Sequence, residues 1–153
     1  MKKRVLSFLF IITLFSLTAV SASAVVNDTL KVGIRWGSTA LEAANLENAV
    51  GSGYEFGYYD EDREFVYLDE TDETTITMQA SGSGNDVTVT ETRSGEVLFQ
   101  FRDNGYCLGI RPMGRHTETW CKGYKYPGGF EYRCNADGTL TVINVVDIED
   151  YVK

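Results

Sequence analysis

From Thr29 to Val146 the apolar positions recur mostly at every second residue, in short runs separated by turn residues. That period belongs to strands. Leu30, Val32, Ile34 and Trp36 alternate with Lys31 and Arg35. Tyr54, Phe56 and Tyr58 share one parity and so one face, and the chain returns through Glu64 to Leu68 after the acidic turn Asp60 to Arg63. Thr74 to Gln79 is a further strand. Val87 and Val89 match Val97, Phe99 and Phe101 as inward positions of a hairpin around Arg93-Ser94-Gly95. Cys107 to Arg111 is closed by Pro112. Thr119 to Tyr126 and Phe130 to Cys134 flank Tyr126-Pro127-Gly128-Gly129, and Asp137-Gly138 tips a last hairpin. Leu140 to Val146, β-branched and apolar, suits a strand buried on both faces. With about nine strands and turn signals roughly every ten residues, the expected fold is all-β, made mainly of antiparallel hairpins, as a small barrel or sandwich. Little helix is expected. Ser38 can cap a short helix through Leu41, Ala44 and Leu46. Asp147 can cap another, with Ile148, Tyr151 and Val152 opening its apolar face.

The first residues break this pattern. Lys2, Lys3 and Arg4 precede a largely apolar run to Val20, and Ala22-Ser23-Ala24 supplies a small-x-small cleavage site. This reads as a signal peptide over 1–24, cut after Ala24, which sends the chain to the cell envelope or outside. The alternative is an uncleaved N-terminal membrane anchor, but the run is short against the roughly 20 residues of a span. A β region over 25–80 and a hairpin region over 85–139 follow, parted by Ser81-Gly82-Ser83-Gly84.

Charge narrows the partners. The whole sequence of 153 residues carries a net charge of −8, and losing Lys2, Lys3 and Arg4 takes it to −11. Nucleic acid and anionic lipid are therefore excluded as partners held by bulk charge. Carboxylates crowd the stretch from Glu55 to Glu73, where Arg63 is the lone cation. Basic residues gather between Arg102 and Arg133, either as solvated loop surface or as a surface for an anionic wall polymer.

The chemistry sought in the chain is sparse. There is no nucleophile elbow, no His-Glu-x-x-His and no phosphate-cradling glycine loop, and no cofactor or metal set is read. His116, the single histidine, sits in a Gly-Arg-His-Thr loop. Trp120, Lys122, Tyr124, Lys125, Tyr126 and Arg133 place aromatics and cations on one expected hairpin. That combination suits stacking on sugar rings beside anionic groups; the other reading is core rings with solvated cations. The same hairpin, closed by Lys125 opposite Phe130, sets Cys121 opposite Cys134. Opposed residues lie about 4.5–5.5 Å apart at Cα, within disulfide range. Such a bridge closes a short loop and adds at most about 3 kcal/mol. Cys107 is then left over. The alternative is three reduced cysteines, because a slip of one residue breaks the pairing.

Three stretches carry a resemblance. Thr141-Val-Ile-Asn-Val-Val-Asp-Ile-Glu-Asp-Tyr-Val-Lys resembles the opening of the SpoIID/LytB domain, the family of stage II sporulation protein D and the amidase enhancers. Leu30 to Leu46, running on to Gly51-Ser-Gly-Tyr-Glu-Phe-Gly-Tyr-Tyr-Asp, and Thr119 to Arg133 resemble the N-terminal region of clostridial-type members. Together they cover nearly all of the chain after the signal peptide. The resemblance implies a secreted lytic transglycosylase acting on peptidoglycan glycan strands, or an enhancer of wall amidases, with a cell-wall amidase or sporulation proteins as partners. On it, 140–153 is the incomplete start of a SpoIID/LytB-like domain. The family's acid is the Glu of a Val-Pro-x-Glu-Met motif that would lie beyond Glu149-Asp150-Tyr151. No catalytic residue is therefore carried over, Glu149 included. The chain is expected to be the N-terminal portion of such a protein and to bind or position rather than catalyse. The alternatives are a secreted β-rich wall-binding or interaction module with no enzymatic relative, and a fragment without a function of its own.

Overall fold

A computed structural model describes residues 28–115 and 117–152. The signal peptide, its cleavage point after Ala24, the alternative membrane anchor and His116 lie outside the described residues. Within them the strands are Thr29–Arg35 (β1), Ala44–Glu47 (β2), Tyr54–Tyr59 (β3), Phe65–Thr71 (β4), Thr75–Ala80 (β5), Val87–Glu91 (β6), Val97–Phe101 (β7), Leu108–Pro112 (β8), Glu118–Cys121 (β9), Tyr124–Pro127 (β10), Gly129–Cys134 (β11) and Leu140–Asp147 (β12). They form two six-stranded sheets, ordered β1-β12-β11-β8-β3-β4 and β10-β9-β2-β5-β6-β7. The named strand pairs are antiparallel. The fold is all-β, as the alternation predicts, and it is a sandwich.

One core lies between the sheets. The first sheet contributes Tyr54, Phe56, Leu108, Ile110, Phe130, Tyr132, Leu140 and Val142; the second contributes Leu46, Ile76, Met78, Val87, Val89 and Phe101. Phe56 and Phe99 join the sheets directly, stacked at 4.9 Å. The Tyr54, Phe56, Tyr58 face is thus core, with Tyr58 half-buried against it. β12 lies between β1 and β11, its inward positions Leu140, Val142 and Asn144 all buried. Strands from both sides of Ser81 to Gly84 enter both sheets, and β12 sits among them.

Some local expectations fail for identifiable reasons. No helix runs from Ser38 to Leu46. Gly37–Thr39 is a single 3-10 turn, and Ala44 and Leu46 point into the core from β2, since their spacing of two fits a strand. Trp36 lies beyond β1 and is exposed. Val97 is exposed as well, because a bulge after Val89 places it opposite Thr90. The C-terminal junction forms as expected: the Asp147 side chain accepts a hydrogen bond from the Glu149 amide at the start of helix α1, Ile148–Tyr151.

Among the described residues, three buried side-chain atoms find no hydrogen-bond partner, Asn48 Oδ1, Thr119 Oγ1 and the Tyr132 hydroxyl, and the last has a measurable consequence. The Tyr132 hydroxyl is fully buried and finds no hydrogen-bond partner among the described residues. Such a group bears its desolvation cost uncompensated. Tyr132→Phe is therefore expected to stabilise the fold by about 1 kcal/mol, read as a raised midpoint in urea at unchanged m-value. A destabilisation of that size would reveal a partner for the hydroxyl.

Candidate functional site

The six residues singled out on the expected hairpin do not share one. β9 turns into β10 through Lys122-Gly123, whose φ angles are +49° and +85°. Two left-handed residues in a two-residue loop make the tight turn that matches strand twist. The register is then Cys121 opposite Tyr124, Trp120 opposite Lys125 and Thr119 opposite Tyr126. Pro127-Gly128-Gly129 is no hairpin turn but the point where the chain leaves one sheet for the other. Gly128 has φ +77°, and a Cβ there would collide with the Val145 carbonyl. Asn144 fixes the crossing by donating to the carbonyls of Pro127 and Gly129, both at 2.9 Å.

This topology sorts the six. Trp120 and Lys125 lie on the outward face of the hairpin, the Lys125 Nζ 5.2 Å from the Trp120 ring centroid. Lys125 also donates to Glu118 at 3.0 Å. Lys122 marks the turn end, and Tyr124, 63% exposed, shares the face of Cys121 and Tyr126, opposite to that of Trp120. Tyr126 faces inward, edge-on to Phe130. Arg133 is on β11 in the other sheet, opposite Thr141, and takes no part in the hairpin. The constellation therefore reduces to Trp120, Lys122 and Lys125.

The Cys121–Cys134 bridge falls with the same register. Cys121 lies opposite Tyr124 and Cys134 opposite Leu140, in different sheets, and all three cysteines are free thiols. Burial raises the thiol pKa of each, that of Cys134 to about 11.

Two concavities bear on binding. The larger, about 690 Å³, lies over the sheet crossing, lined by Tyr59, Arg111, Gly128, Gly129, Glu118 and Asp147 among others. Its charged groups are largely engaged: Arg111 pairs with Glu55 and stacks on Phe65 at 4.7 Å, Glu118 binds Lys125, and Asp147 caps α1. Burial holds the Tyr59 phenol well above its ordinary pKa, so it stays protonated. A glycan-cleaving acid needs a carboxyl raised in pKa. At Asp86, Glu91 and Asp137 hydrogen bonds act in the opposite direction and hold the carboxyl below its ordinary pKa. The smaller groove, about 280 Å³, runs beside Trp120 along the outward face of the second sheet, past Asn45, Glu47, Thr75, Thr92 and Lys122. None of these but Trp120 and Lys122 stands out in the sequence as an aromatic or cationic candidate. The signal of the others was the alternation Thr75-x-Thr77-x-Gln79 and Thr88-x-Thr90-x-Thr92, which places small polar groups along one face.

Compared with known proteins, the chain matches no family profile, no curated protein and no solved structure.

Proposed function

We propose that this chain is a secreted, non-catalytic β-sandwich that attaches a SpoIID/LytB-like wall protein to peptidoglycan glycan strands through the β9–β10 hairpin. The observation that carries the proposal is the outward Trp120 ring, 37% exposed and held from one side by Lys125. An indole fixed in this way on a sheet surface offers a flat apolar platform for a sugar ring, at little entropic cost. Lys122, at the turn beside it, adds a cation to the same groove. The Asn144 to Tyr151 stretch supports the family side of the proposal by its resemblance to the opening of that domain. On the same resemblance, a wall amidase or a sporulation protein is the partner to be positioned.

Sedimentation with insoluble peptidoglycan tests the proposal. Wild-type protein is expected to pellet with the wall, and Trp120→Ala to bind about tenfold more weakly, the effect of losing one stacking platform. Equal pelleting of wild type and a Trp120→Ala, Lys122→Ala double variant would overturn it.

A further inference from the structure

The two outward faces of the sandwich differ in chemistry. On the first sheet the outward positions carry charges in pairs, Lys31 with Glu131 and Arg111 with Glu55. On the second sheet, from β2 to β7, they carry mostly amides and hydroxyls, the exceptions being Glu47 and the exposed Val97 opposite Thr90. The pairing registers lay these out in rows across the strands. Gln79, Thr88 and Gln100 form one, Asn45, Thr77 and Thr90 the next, and Thr75 and Glu47 lead to Trp120 in a third. Glu47 is the one carboxylate in these rows, in a chain whose net charge is −8.

We propose that this outward face of the second sheet is a track for an uncharged polysaccharide chain, laid across the strands from Trp120 towards Gln100. The proposal rests on the reading of Trp120 as a sugar platform. It adds where the glycan runs: beyond the hairpin, over the hydroxyl and amide rows of β2, β5, β6 and β7.

Three features favour this ligand. Hydroxyls and primary amides both donate and accept, which matches a polyhydroxylated, amide-bearing sugar chain at every contact. The side chains are also held in place. Asn45 donates to the Thr77 hydroxyl at 2.9 Å, and Thr77 and Thr92 share a hydrogen bond of 3.1 Å. Threonine is stiff at χ1, so little freedom remains to be lost on binding. Finally, adjacent strands lie about 4.8 Å apart, so a chain crossing them meets polar groups at a regular interval. Other partners fit less well. An anionic polymer calls for paired cations, which these rows lack. A peptide strand would add at a sheet edge, not on its face. A second copy would need the apolar centre of a stable dimer interface.

The test uses the whole chain with soluble chitin oligomers, which are neutral, and with intact peptidoglycan. The diagnostic variant is Thr88→Val with Gln100→Ala, in the row farthest from Trp120. Valine keeps the β-branching, and thermal melts of the variant confirm folding. The oligomers are expected to bind wild type, with the remote-row variant about tenfold weaker on both ligands. Undiminished binding by that variant, with Trp120→Ala still defective, overturns the track and leaves the hairpin reading standing. So does binding to intact peptidoglycan but not to the oligomers. Binding to neither ligand removes both proposals. A dimer in sedimentation velocity that the remote-row variant dissolves, without glycan binding, would reassign the face to self-association and overturn the track.

Discussion

Phe56→Ala is expected to destabilise the protein by about 3–5 kcal/mol, the largest effect of any single truncation argued for this fold. Phe56 is fully buried at the centre of β3 and belongs to the first sheet. Its ring stacks on Phe99 of β7, with 9° between the planes, so it also holds the second sheet. Truncation removes the transfer free energy of the ring and leaves a cavity that two pleated sheets cannot close without moving apart. Beyond burial, the lost stacking adds roughly 0.5–1.5 kcal/mol. Against a typical total of about 5–15 kcal/mol, a loss of this size approaches global unfolding. Equilibrium urea denaturation measures it. A cost near 1 kcal/mol would show that the sheets are not closed over this pair. Phe99→Ala, half-buried, is expected to cost less, and the two losses to be less than additive.

Lys31→Ala is the second large effect, expected at about 2 kcal/mol. Lys31 on β1 reaches across β12 to Glu131 on β11 and also lies over the Tyr59 ring. The two partners are unequally placed. The Glu131 side chain is 7% exposed and that of Lys31 is 30% exposed. Removing the lysine strands a nearly buried carboxylate, for which a cost of about 3–5 kcal/mol is usual in a dry interior. The partial access of water at Lys31 reduces that figure. The asymmetry is itself testable in a double-mutant cycle by chemical denaturation. Lys31→Ala combined with Glu131→Ala should cost less than the two single losses added, because the stranded charge has gone. Strict additivity would mean that Glu131 draws its compensation from elsewhere.

Both effects depend on residues whose face was legible in the sequence and whose partner was not. The period of two assigns Phe56 to the core side of β3 and Lys31 to the outer side of β1. It does not say which strand lies across from either. The same limit explains the cysteines. Cys121 and Cys134 sit on strands as expected, but the assumed turn at Tyr126 to Gly129 set them opposite each other. Two adjacent turn signals competed there. Lys122-Gly123 closed the hairpin, since both residues take left-handed conformations. Gly128, with no room for a side chain beneath Val145, carried the chain into the other sheet instead.

The sequence alone determined the all-β class, the inward residues of most strands, the tip at Asp137-Gly138, and the junction at which Asp147 caps α1. Each of these depends on residues within a few positions of one another. Only the tertiary structure decided that strands from Thr29 to Asp147 interleave in two sheets. It also separated Arg133 from Trp120 and ranged the threonines and amides of β2, β5, β6 and β7 into continuous rows. Alternation fixes which side of its own strand a residue takes. Which strands become neighbours is set by burying both sheets' apolar faces against each other, and that depends on residues far apart in the chain.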